Sequence, residues 1–117
     1  MADWTAEEVA DAVLEHLAIK AAGVSAAPED RAKALTGYLS IYERLAKRGH
    51  APWPNDEVPI EAQEPLAQYI AGRLAVKFGH SGQRLMEIQG DAREGRKELV
   101  EVAAGFHSRL RTQGRYF

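Results

Sequence analysis

Leu66, Ile70, Leu74 and Phe78 recur at every fourth position of the segment EPLAQYIAGRLAVKFG, residues 64–79, with Ala67, Ala71 and Ala75 one position behind them. A series with that period lies along one wide stripe of an α-helix, and water drives the stripe under cover. Pro65 suits a first turn, where its missing N–H has no intrahelical partner, and Gly79 suits the stop. Arg73 and Lys77 place positive charge near the C-terminal end, where the helix dipole favours it. Burying the four large side chains contributes about 1.5–3 kcal/mol each. This run is therefore expected to be the central helix against which the others pack.

The flanking segments are read by the same rules. Thr5 and Glu8 form a capping box, Trp4 and Val9 have the spacing of a hydrophobic staple, and Val9, Val13, Leu14, Leu17 and Ala21 make the apolar side of a first helix ending near Gly23. Pro28, Glu29 and Asp30 open a second helix that carries Leu35, Tyr38, Leu39, Tyr42 and Leu45 and ends at about Arg48, before Gly49. Pro52, Pro54 and Pro59, three prolines in eight positions, preclude regular structure between residues 50 and 59. Trp53, between two of them, either folds back on the core or projects as an anchor for a partner. Leu85, Ile88, Ala92, Leu99, Val102 and Phe106 mark a fourth helix over about 83–104. Gly37, Gly72, Gly90 and Gly95 fall inside helical patterns, each at about 1 kcal/mol relative to alanine. Close helix crossing explains such glycines, and so does a helix that must bend.

The pattern predicts an all-α four-helix bundle, residues 1–104, with a Pro-rich connector between helices 2 and 3, and an extended C-terminal arm, residues 105–117. At 117 residues the chain is of single-domain size. It contains no cysteine, which excludes disulfides and thiolate metal sites. No apolar run approaches the roughly 18 residues that span a bilayer, and the acidic N-terminal segment is unlike a signal peptide.

Candidate chemistry is sparse. His16, His50, His80 and His107 stand at least 27 residues apart, without metal-ligand spacing. His16 is read as a surface residue beside Glu15. Gly79-His80-Ser81-Gly82 resembles part of a nucleophile elbow, but position 83 is Gln and no strand precedes it, so Ser81 is read as a turn or N-cap residue. No phosphate-binding glycine loop is present. The chain is expected not to be an enzyme and to need no cofactor or metal. The overall charge of -2 conceals an asymmetry: residues 1–30 hold seven acids and one lysine, whereas residues 105–117 hold Arg109, Arg111 and Arg115 and no acid. A basic, aromatic tail gains order by docking on another chain.

The order of these pieces carries a family resemblance. Ala21-Ala22-Gly23-Val24-Ser25 closes the first helical segment, and Pro28-Glu29-Asp30-Arg31-Ala32-Lys33-Ala34-Leu35 opens a helix ending in Arg48-Gly49. A Trp/Pro/Asp-rich connector closed by Val58-Pro59 follows, then the helix Leu66 to Gly79 with its Arg73-Leu74-Ala75-x-x-Phe78-Gly79 ending. Together they resemble the head-to-tail adaptor (connector) proteins of tailed bacteriophages and related gene-transfer particles. The resemblance implies a virion structural protein, made in the bacterial cytoplasm, that assembles at the head–tail interface as a ring of twelve copies under the portal protein. The implied ring extends the DNA channel and passes genomic DNA without sequence-specific binding. It joins the portal to a downstream tail-completion (stopper) or tail protein, with no membrane partner. The implied portal-binding residues are Arg109, Leu110, Arg111, Arg115, Tyr116 and Phe117. The alternative is a small helical nucleic-acid-binding regulator, which the sequence pI of about 6.1 disfavours.

Overall fold

The computed structural model describes residues 3–21 and 23–114, with 109–114 given as helical backbone only. The described residues form an all-α fold: α1 (Ala6–His16), α2 (Pro28–Lys47), α3 (Ile60–Leu74) and α4 (Gly82–Gly114), with a 3₁₀ turn at Val76–Phe78. An isolated antiparallel bridge joins Trp4 and Val58. α3 touches each of the other three helices, α4 most extensively. Leu66, Ile70 and Leu74 are buried with Val9, Val13, Leu17, Tyr38, Leu45 and Leu99 in one cluster. The expected bundle, with its expected central helix, is the one observed. Phe78 is only half-buried, with the Lys33 ammonium 4.5 Å from its ring centroid.

The helix ends differ from expectation in four places. α3 stops at Leu74, and Gly79, the expected stop, instead closes the 3₁₀ turn Val76–Phe78 with φ 88°. α1 stops at His16 rather than near Gly23, because Ala18 takes a left-handed conformation with φ 57°. Ala18 N–H then donates to Glu15 O (3.0 Å) and Ile19 N–H to Leu14 O (2.9 Å), while the Leu14 and Ile19 side chains pack in one small cluster. This double bond and apolar contact close a helix without glycine at the turn. α3 begins at Ile60, capped by extended Pro59, so Pro65 lies in its second turn rather than its first. Pro65 leaves the Glu61 carbonyl without its usual donor. Burial of Ala62, Leu66 and Ala67 around it outweighs that loss. α4 runs through Ala104 and Gly105 to Gly114, so the expected boundary between body and arm falls inside a helix. At 1.5 Å per residue its 33 residues span about 50 Å.

The mid-helix glycines divide into two kinds. A Cβ on Gly72 would lie 2.2 Å from the Ala92 Cβ, and one on Gly95 would lie 2.8 Å from the Pro65 carbonyl oxygen. α3 and α4 therefore approach at a distance that a side chain would forbid. A Cβ on Gly37 would likewise meet Leu74 at 2.7 Å, whereas at Gly90 the nearest atom is the end of Arg93, 3.9 Å away. Replacing Gly90 with alanine is expected to stabilise the fold by about 0.5–1 kcal/mol through helix propensity. Gly72→Ala gains the same propensity but forces the helices apart, for a net loss of about 1–3 kcal/mol. Urea unfolding of the two variants should move in opposite directions. Equal shifts would show that the close crossing is not what Gly72 provides.

Candidate functional site

A segment with three prolines cannot satisfy its own carbonyl groups by a ladder, so each needs a partner from elsewhere. α2 supplies two. Tyr38 and Tyr42, four residues apart and hence on one face, reach the connector from the same side. The Tyr38 hydroxyl donates to Asn55 O at 2.8 Å, and the Tyr42 hydroxyl donates to Trp53 O. Their rings meet edge-on, with centroids 6.0 Å apart. The N-terminal segment holds the other end: Trp4 and Val58 exchange backbone bonds of 3.0 and 2.9 Å, and Ala6 N–H donates to Asp56 Oδ1 at 2.9 Å. Gln63 Nε2 adds a bond to Val58 O at 3.2 Å. Thr5 and Glu8 form the expected capping box, and Asp56 joins them at the positive end of α1.

Trp53 does not project as a partner anchor. Its ring is 3 % exposed and meets Phe106 of α4 edge-on, with centroids 6.0 Å apart. Flanking prolines and the Tyr42 bond set its backbone, and Phe106 covers the ring. Among the described residues the indole N–H finds no acceptor. One residue further along, His107 Nε2–H donates to Gly49 O at 2.8 Å. The start of the expected arm is thus packed on the chain's own connector. Arg109, Leu110 and Arg111 lie on the final turns of α4, where only the backbone is described, and Arg115, Tyr116 and Phe117 lie outside the described residues.

The histidines act locally. His16 Nε2 is 2.6 Å from Glu64 Oε1, a partner on another helix rather than its neighbour Glu15. His80 Nε2–H donates to Leu17 O at 2.6 Å, and Arg84 Nη2 donates to His16 O at 3.4 Å, so both cover the C-terminal carbonyls of α1. Ser81 immediately precedes α4, and its carbonyl accepts from Leu85 N–H at 3.3 Å, as at an N-cap position. Among the described residues no group of three His, Asp or Glu is placed to hold a metal ion, and no helix is long and apolar enough to cross a membrane.

Two of the surface grooves among the described residues differ in the charge of their lining. Arg73 of α3 and Arg93 and Arg96 of α4 ring a shallow groove floored by Tyr69, Gly72 and Ala92. The other groove, between α1 and α3, is lined by Trp4, Glu8, Asp11, Glu15, His16 and Glu64. Composition had shown the acidic stretch of residues 1–30. The arginine groove was missed, because its three residues are spread over two helices and gather only when α3 and α4 pair. No protein-family model, no characterised protein and no solved structure matches this chain.

The tyrosine clamp has a pH signature. Burial, with Tyr42 and Asp56 close by, raises the Tyr38 hydroxyl above the ordinary tyrosine range, and burial raises Tyr42 as well. Folded Tyr38 keeps its proton where the unfolded chain has released it, near pH 10. Its contribution is therefore complete below about pH 10 and is lost as pH rises further. Tyr38→Phe should cost about 1 kcal/mol at pH 8 through the lost hydrogen bond. It should also flatten the fall of stability with pH above 10. Urea unfolding across that range checks both, and parallel pH curves would contradict the assignment.

Proposed function

We propose that this chain is a head-to-tail adaptor, a virion structural protein and not an enzyme, that forms a twelve-copy ring under the portal protein and prolongs the DNA channel. Its other partners are a downstream stopper or tail protein, further copies of itself, and the genomic DNA that passes through. The order of elements supports this reading, as do the residue runs that resemble the family, notably Arg73-Leu74-Ala75-x-x-Phe78-Gly79. The single observation that carries it is at the end of the chain. α4 continues to Gly114 beyond the His107–Gly49 bond, and residues 105–117 hold three arginines and no acid. A cationic segment without acids of its own is suited to pair with carboxylates on a second polypeptide.

Truncation after Ser108 tests the arm while leaving Phe106 on Trp53. Losing two charge-assisted hydrogen bonds at about 1.5 kcal/mol each weakens an interaction by about 100-fold. The truncated chain should therefore bind purified portal protein at least about 100-fold more weakly, with an unchanged unfolding midpoint. Undiminished binding would remove the arm from the account.

A further inference from the structure

The α3/α4 pair carries arginines on one side and carboxylates on the other. On α3, Glu64 and Arg73 are nine residues apart, half a revolution around the axis at about 100° per residue. On α4, Asp91 and Arg96 are five apart, as are Arg93 and Glu98, or about 140° around the axis. Tertiary packing puts these positions on matching sides. Arg73 shares its groove with Arg93 and Arg96, whereas Asp91 shares a crevice with Gln68, Ala71 and His16, next to the His16–Glu64 pair. Arg84, on the acidic side, is turned toward His16 O and Glu87. Among the described residues Arg73, Arg93, Arg96, Asp91 and Glu98 are exposed and form no ion pair.

Three exposed arginines on one side and two exposed carboxylates on the other, without ion-pair partners among the described residues, do little for the isolated chain. They are what a heterologous contact needs, in which two different patches meet on successive copies. We propose that the arginine side of the α3/α4 pair (Arg73, Arg93, Arg96) docks against the acidic side (Glu64, Asp91, Glu98) of a second copy of this chain. The occupant is argued from charge complementarity. Arg73, Arg93 and Arg96 line this groove beside Tyr69, Gly72 and Ala92 and are exposed, and Arg forks bind carboxylates in pairs. The inference rests on the ring reading above and names the two surfaces such a ring would use.

Paired charge reversals in the full chain test it. R73E/R93E/R96E makes both sides acidic, and E64K/D91K/E98K makes both sides basic. Light scattering at about 20 mM salt, where surface charges are weakly screened, should show wild-type self-association that weakens as salt rises. Each triple variant, with unchanged helicity, should associate at least about tenfold more weakly. An equimolar mixture should recover association as alternating one-to-one oligomers, an outcome that mere destabilisation of either variant would not produce. A wild-type chain still monomeric at about 1 mM would overturn the proposal. So would either variant associating like wild type, failure of the mixture to recover, or an arginine side that takes up DNA in place of a second copy. Normal self-association without portal binding would instead sink the adaptor reading alone.

Discussion

The missing side chains at Gly72 and Gly95 let α3 and α4 lie against each other at a separation that any larger residue would prevent. Everything else is arranged around that contact. α3 is shared by all three other helices, so its apolar stripe can be covered on one side by α4 and elsewhere by α1 and α2. Ala67, Ala71 and Ala75, small residues behind the large ones, keep the remaining faces close as well. Dispersion falls off steeply with separation, so short interhelical distances multiply the value of each buried atom.

Close pairing of α3 with α4 also governs the connector. Phe106 sits at the point on α4 where it covers Trp53, and His107 at the point where it reaches Gly49. Tyr38 and Tyr42 hold the same segment from α2, and Trp4 and Asp56 tie it to α1. A stretch unable to form regular structure thus becomes a junction that fixes the end of α2 relative to the start of α3. Its prolines limit the freedom of the unfolded chain, which lowers the cost of ordering it.

Helical periodicity made the four helices and the central place of α3 readable before any coordinates, because Leu66, Ile70 and Leu74 repeat at one interval and nothing else explains them. Thr5 and Glu8 announced the start of α1 in the same local way. The ends were less readable where non-local forces decide them. Ala18 adopts a conformation usually left to glycine because Leu14 and Ile19 pack across the turn. Pro65 is carried inside α3 by burial on both sides of it. The arginine groove and the tyrosine clamp were hidden for the same reason: each draws residues from separate segments. Gly90 shows the opposite limit, since its pattern resembles Gly72 and Gly95 while its surroundings are open.

The resulting object is a close helix pair, with the other helices and the connector packed on it. Native-state hydrogen exchange tests its foundation most directly. Amides in residues 66–74 of α3 and 88–99 of α4 should be the slowest, opening only with the free energy of global unfolding. If those segments instead exchange through local opening, while α1 and α2 retain the strongest protection, the close α3–α4 contact is not what holds this fold together.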